Sequence, residues 1–235
     1  MQISKDTFNI LRNFSTINPG IVVESGQELE TISIARNIMA KADITETFEK
    51  NFAIYDLNEF LGVSNSDIFE GAEYSFNETS VNITKDNAKT HYFYASPETV
   101  VSPTKDPTMP DSELTFELKD EDFEKAKFIA GILKKPDLCL QSDGDDIKLV
   151  VLDKKDDTSN VFELNVGQND TGSSYKFYFK AENLKIIKGN YDVSVSSKGI
   201  SNFKHQDIPI QYWIALEQGS EYENGEKEPP WEEDE

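Results

Sequence analysis

The chain has 235 residues, of which 37% are hydrophobic and 11% aromatic, a composition that supports buried cores and excludes a disordered protein. It carries 23 Lys+Arg against 44 Asp+Glu, and its formal charge of −21 argues against simple electrostatic attachment to nucleic acid or to an anionic membrane. The single cysteine, Cys139, makes an internal disulfide impossible. No signal-like N-terminus and no apolar run approaching about 18 residues are present, so we expect a cytoplasmic protein without a membrane span.

The first predicted element is a helix that begins after Ser4, a good N-cap, and ends before Pro19-Gly20. At about 100° per residue, four polar side chains fall within roughly 60° of one another. This basic stripe consists of Lys5, Asn9, Arg12 and Thr16. The other face carries Thr7, Ile10, Leu11 and Phe14. A positive stripe on a strongly acidic protein suggests a surface that contacts an anionic partner. Charge alone would not be enough to retain that partner.

The remainder of the first half reads as strands with one short helix. Strand-like runs occupy residues 21–23, 29–34, 37–44, 52–55, 80–84 and 90–95. Asp56 is placed to cap a helix over 57–63. Pro103, Pro107 and Pro110 then deny both helix and central strand, and they favour an extended connector.

The second half repeats this order of elements. A strand at 114–118 precedes an amphipathic helix at 120–133, and a short helix is expected at 181–187. Further strands are expected at 138–141, 147–152, 161–166, 175–179, 191–196 and 210–216. The repeat predicts an α+β protein of two similar domains, with helices on one face of antiparallel sheets. The predicted limits are 1–102 for domain 1, 103–111 for the connector and 112–220 for domain 2.

Residues 221–235 differ from the rest of the chain. They hold eight acids and one lysine, a net charge of −7, together with Pro229 and Pro230. This composition predicts a disordered appendage. Trp231 within it is either a docking anchor or an exposed aromatic residue.

Catalytic chemistry has little support in the sequence. His91 and His205 lie in unrelated strand-like contexts, and no glycine-rich loop suits a phosphate. Residues 143–146, Asp-Gly-Asp-Asp, lack the spaced ligands of a calcium loop and favour a hairpin turn. We therefore predict a protein that is not an enzyme, with no catalytic residues, metal or cofactor.

Lysines accompany the helices of the second half. Lys127 and Lys135 lie on or just after the longer helix, and Lys185 and Lys188 lie on or just after the short one. Helices in both halves thus offer positive charge, whereas the strands carry many of the acids. Each lysine alone is also consistent with a solubilising role.

Several stretches resemble the sliding clamp of T-even-type bacteriophages, the DNA polymerase processivity factor. They run in order along the chain: SKDTFNILRNFSTINPGIVVESGQ (4–27), AIYDLNEFLG (53–62), PETVVSPTK (97–105), GNY (189–191) and WIALE (213–217). The resemblance implies a homotrimeric ring whose helices line a hole around duplex DNA, held without regard to sequence. It further implies an ATP-dependent clamp loader, a polymerase tethered through its C-terminal peptide, and action in the cytoplasm of an infected bacterium. The family also supports late viral transcription, a role that stays open here.

The resemblance assigns roles to particular residues. Lys5 and Arg12 match basic positions of the family's first pore helix, and Lys185 matches a lysine of the second-domain short helix. Phe128 and Gly131 stand where basic pore residues are expected. The DNA-facing set is therefore Lys5, Asn9, Arg12, Thr16, Lys127, Lys135, Lys185 and Lys188. Candidates for the partner pocket are Val100, Val101 and Met109.

Two other hypotheses remain at this point. The chain could be a non-enzymatic viral structural or assembly protein whose acidity serves solubility. A calcium-binding or metal-dependent enzyme would rest only on the Asp-rich turns.

Overall fold

The computed structural model describes residues 1–225, which divide into two compact units. Unit 1 comprises residues 1–108, 185–188 and 203–214, and unit 2 comprises residues 109–184, 189–202 and the chain from 215 onward. Two segments inside the predicted range 112–220 are thus counted with unit 1.

Residues 1–225 form three α-helices and sixteen strands. The helices are α1 (Lys5–Ile17), α2 (Leu57–Ser64) and α3 (Asp120–Leu133). The strands up to the connector are β1 (Ile21–Val23), β2 (Gly26–Ile32), β3 (Ile38–Phe48), β4 (Phe52–Ile54), β5 (Glu73–Phe76), β6 (Ser80–Lys85) and β7 (Ala88–Phe93). Those after it are β8 (Leu114–Leu118), β9 (Asp137–Asp143), β10 (Asp146–Leu152), β11 (Phe162–Gln168), β12 (Ser174–Lys180), β13 (Tyr191–Ser196), β14 (Ile200–His205), β15 (Ile210–Ala215) and β16 (Glu221–Glu223).

In unit 1, α1 packs against β2 and β3, and α2 packs against α1. Antiparallel pairing joins β2 to β3 and β3 to β15, while β5, β6 and β7 form a separate antiparallel sheet. The core holds Phe14, Leu29, Ile54 and Leu57, each fully buried, together with a group of aromatic side chains around Phe52. Burial of this apolar surface is the main stabilising contribution to the unit.

Unit 2 is built in a similar way. Five antiparallel strands run in the order β11, β10, β9, β12 and β16, and α3 packs against β10 and β11. A second antiparallel pair joins β8 to β13. Residues 143–146 form the turn between β9 and β10, and Gly144 has a φ of 119° that a side chain would strain. The predicted α+β class and the predicted hairpin turn are both confirmed.

The predicted helix over 181–187 is wrong. Only Ala181–Asn183 form a single 3-10 turn, and the chain beyond it is not helical. The reason is that backbone groups of the following residues find partners on other elements. The carbonyl of Lys185 accepts from Asn13 Nδ2 at 2.9 Å, and the N–H of Ile187 donates to Tyr212 Oη at 3.2 Å. A helix over 181–187 would instead have used the Ile187 N–H internally, as a donor to the carbonyl four residues earlier.

The predicted disorder of the acidic segment fails for its first residues. Glu221–Glu223 form β16, which pairs with β12. The Tyr222 ring stacks on Phe177 at a centroid distance of 6.4 Å, and its hydroxyl lies 3.1 Å from Ser173 Oγ. Glu221 and Glu223 remain exposed on either side of the tyrosine, so the acidic composition does not prevent the strand. Residues 226–235, including Trp231, lie outside the described residues.

Candidate nucleic-acid interface

The N-terminus of α1 is held to β3 by a network of hydrogen bonds. Ser4 Oγ accepts from the Thr7 N–H at 3.2 Å, which is the predicted N-cap. Glu46 on β3 accepts from Thr7 Oγ1 at 2.6 Å and also from the Ser4 N–H. Burial opposes ionisation of Glu46, but these hydrogen bonds outweigh it and hold the pKa of the carboxyl below its ordinary value of 4.5. The start of α1, and with it the orientation of the helix, is therefore fixed.

The two faces of α1 are those that the sequence predicts. Its buried side chains are Thr7, Ile10, Leu11, Phe14 and Ile17. The side chains of the basic stripe, Lys5, Asn9, Arg12 and Thr16, are all exposed. Lys5 Nζ lies 3.9 Å from the Glu70 carboxylate, and Arg12 Nη1 donates to Asn9 Oδ1 at 3.0 Å. The structure thus presents the stripe to solvent as one continuous surface.

Lys185 joins the end of this stripe. Its ammonium donates to the Thr16 carbonyl at 2.7 Å, at the C-terminus of α1. The last turn of α1 contains no basic residue of its own, so Lys185 supplies the cation that the negative end of the helix dipole favours. The charge of the stripe is therefore extended by a residue that is distant in sequence.

Asn13 positions Lys185 and was not among the predicted residues. Its Nδ2 donates to the Lys185 carbonyl at 2.9 Å, and its Oδ1 accepts from the Tyr212 hydroxyl at 2.9 Å. Tyr212 is fully buried. Since the partners of Asn13 lie 172 and 199 residues away, no local pattern in the sequence could have shown its role.

Lys188 lies in the same segment and is exposed. Its carbonyl is 3.0 Å from His205 Nε2, while His205 Nδ1 accepts from the N–H groups of Asp207 and Ile208 at 3.0 and 3.2 Å. Because Nδ1 accepts, the geometry assigns the ring proton to Nε2, which donates to Lys188. His205 therefore helps to hold the segment that carries Lys188.

The predicted DNA-facing lysines on and just after α3 are less exposed than the side chains of the basic stripe. Lys127 is half-buried, forms an ion pair with Glu124, and places its Nζ 4.8 Å from the Phe123 ring centroid. Lys135 is half-buried, and its N–H donates to the Ala130 carbonyl at 3.0 Å. Phe128 and Ile132 are 69% and 58% exposed, so the exposed face of α3 is apolar in its C-terminal half.

The predicted pocket residues occupy different environments. Val100 is 7% exposed, lies against Gly20 and belongs to the core of unit 1. The Val101 carbonyl accepts from Asn18 Nδ2 at 2.8 Å, and Met109 is half-buried. Among residues 1–225, no cluster of His, Cys, Asp or Glu is arranged to hold a metal ion. No helix in that range has the length and apolar character of a membrane crossing.

Comparison with known proteins gives consistent results for both halves of the chain. Residues 4–102 match the family described as DNA polymerase processivity factor, and residues 115–218 match the family described as gp45 sliding clamp, C terminal. The sliding clamp of Vibrio phage KVP40 is 35% identical over 223 residues, which cover 92% of this chain and 99% of that protein. The sliding clamp of Enterobacteria phage T4 is 31% identical over 229 residues, which cover 95% of this chain and 100% of that protein.

Among solved structures, A. fulgidus PCNA bound to the C-terminal region of FEN-1 superposes with a TM-score of 0.64, covering 91% of this chain and 96% of that chain. At 15% identity this likeness shows the fold alone. The two α+β units therefore have the two-domain clamp fold. The sequence relatives then give the family: the chain belongs to the phage sliding clamps, the processivity factors of DNA polymerase.

Proposed function

We propose that this chain assembles into a homotrimeric ring that encircles duplex DNA and tethers the replicative DNA polymerase. The observation that carries the proposal is the exposed basic stripe of α1, extended by Lys185, on a protein whose formal charge is −21. Charge of one sign at a single surface, within an acidic molecule, orients an anionic partner there and repels it elsewhere. We place domain 1 at 1–102, the connector at 103–111 and domain 2 at 112–220.

Weak contact suits a protein that slides. Phosphate contacts carry no sequence information, so neighbouring registers along the duplex have nearly equal energy. A ring retains DNA by topology, and strong phosphate binding would only slow its movement. A few cations are therefore sufficient, and the remaining acidic surface discourages unproductive binding to nucleic acid.

The wider role of the clamp follows from its family. We infer that an ATP-dependent loader opens and closes the ring in the cytoplasm of the infected bacterium, and that the clamp itself is not an enzyme. The polymerase docks through its C-terminal peptide, and support of late transcription is a second role for the same ring.

Primer extension with the cognate polymerase and loader tests the proposal. On a primed circular template, the protein should lengthen the products when the loader and ATP are present, and the loader alone should not. Linearising the template should abolish most of the gain, because a ring slides off a free end. Unchanged product length on the circle would refute the clamp function, and a strict monomer at micromolar concentration would favour the structural or assembly protein instead.

A further inference from the structure

The cations of the stripe differ in what they contact. Lys5 at its N-terminal end faces a carboxylate, since Glu70 Oε1 lies 3.9 Å from its Nζ. Arg12 and Lys185 at the C-terminal end donate to neutral acceptors, the Asn9 amide and the Thr16 carbonyl. Within residues 1–225, no carboxylate forms an ion pair with either of these two residues. The positive charge of the stripe is therefore partly compensated at its N-terminal end and not ion-paired at the other.

Glu70 is held where it meets Lys5. Lys85 donates to the main-chain carbonyl of Glu70, which fixes the loop that follows α2. A groove of about 700 Å³ beside the stripe has Lys5 and Arg12 among its lining residues, together with Asp67 and Glu70. The acidic side chains thus belong to the same surface as the N-terminal part of the stripe.

We propose that Glu70 competes with DNA phosphate for Lys5, so that Arg12 and Lys185 carry the phosphate contact of the stripe. The proposal rests on the proposed function, because it assumes that this surface faces DNA. A phosphate at Lys5 must displace Glu70 or tolerate its repulsion, whereas one at Arg12 only replaces a neutral acceptor, the Asn9 amide oxygen, with a charged one. The side chains of Lys5 and Glu70 are 89% and 75% exposed, so the competition is modest and screened by salt. Glu70 would weaken binding without preventing it.

The salt dependence of binding to a short duplex tests this assignment. Fluorescence anisotropy of a labelled duplex, which enters the assembled protein from its ends, gives the slope of log K against log salt concentration. Arg12→Gln and Lys185→Gln should each reduce the slope at least about two-fold more than Lys5→Gln does. In a Glu70→Gln background, Lys5→Gln should reduce the slope as much as Arg12→Gln.

Glu70→Gln alone should tighten binding by about two- to five-fold at low salt, the range expected for an exposed ion pair. Glu73→Gln is the matched control, because it makes the same change in net charge at an exposed acid near Glu70. Its carboxylate pairs with the Met1 amino group at 3.4 Å rather than with the stripe. This control should bind like the unmodified protein.

Equal effects of Glu70→Gln and Glu73→Gln would overturn the proposal, since net charge would then explain the result. Equal slopes for Lys5→Gln and Arg12→Gln in the otherwise unmodified protein would overturn it as well. If either outcome is found while the protein still lengthens primer-extension products on a circular template, the clamp function stands and only this proposal fails. Loss of the primer-extension effect itself would instead refute the function on which the proposal rests.

Discussion

One carboxylate on β3, that of Glu46, attaches the first turn of α1 to the sheet. Glu46 receives hydrogen bonds from Ser4 and Thr7 at the first turn, and its pKa lies below the ordinary 4.5. A group whose folded pKa is depressed stabilises the fold above its unfolded pKa, and it loses this effect as the pH falls through the folded value. The attachment of α1 to β3 is therefore complete at neutral pH and weakened in acid.

Glu46→Gln should reveal this dependence. At pH 7 the variant should lose about 1 kcal/mol of unfolding free energy, a value kept low because the carboxylate is only partly buried. As the pH falls through the lowered pKa of Glu46, the difference between the two proteins should shrink, because the carboxyl then becomes protonated. Urea denaturation over a series of pH values from 7 into the acid range measures it, with Glu49→Gln at an exposed position as the control. A difference that stays constant with pH would show that Glu46 acts by packing rather than by charge.

At the scale of elements, the segment 185–188 depends on α1 more than on its own sequence. Asn13 bonds the Lys185 carbonyl and the Tyr212 hydroxyl, and Tyr212 in turn accepts from the Ile187 N–H. The Ile187 contact replaces the internal hydrogen bond that this N–H would make in a helix. Together these contacts place Lys185 at the end of the stripe, so one partly buried polar network joins the fold to the candidate site.

Asn13→Ala should lower the stability of the fold and weaken duplex binding. Leaving the partners of Asn13 unsatisfied should cost about 2 kcal/mol of unfolding free energy, measured by chemical denaturation. The variant should also reduce duplex binding about as much as Lys185→Gln, although no charge is removed. Asn58→Ala, at an exposed position of α2, should change neither quantity. A variant that binds DNA normally despite lower stability would separate Asn13 from the positioning of Lys185.

Because β16 pairs with β12, the contribution of residues 221–225 to stability can be tested separately from that of residues 226–235. Truncation after Gly225 removes only residues 226–235 and should leave the unfolding free energy unchanged. Truncation after Ser220 also removes Tyr222, and the loss of its stacking on Phe177 should cost about 1–3 kcal/mol. Differential scanning calorimetry of the two truncations measures this, with the unmodified chain as reference. Equal melting temperatures for both would show that β16 adds no stability.

The limits of sequence-based prediction follow the same division between local and distant contacts. The bounds of α3 and β8, and the caps Ser4 and Asp56, follow from periodicity and capping within a few residues, and all were predicted. The paths of 181–187 and 221–223 depend on Asn13 and Phe177, which lie far away in the chain, and both predictions failed. The family, by contrast, was predicted correctly because a few specific stretches suffice to identify it.

At the scale of the whole molecule, the balance of charge explains why a small stripe is sufficient. Against 44 acidic residues, the stripe cannot bind DNA by bulk attraction, so in the proposed function the closed ring retains the duplex and the stripe only guides it. The proposed function therefore makes assembly and DNA contact separable properties. A variant that reverses the charge of the stripe should lose DNA contact and keep assembly.

Lys5→Glu combined with Arg12→Glu tests this separation. Both side chains are exposed and contribute nothing to the core of unit 1, so the proposed trimer should form with unchanged mass by light scattering. Loading onto nicked circular DNA, or retention on it, should fall because the surface that meets the phosphates is now repulsive. Lys89→Glu combined with Lys198→Glu, at exposed positions outside the stripe, makes the same change in net charge and should load normally. Equal loading by the two double variants would show that the stripe does not face DNA, whereas a monomeric stripe variant would show that it belongs to the subunit contact.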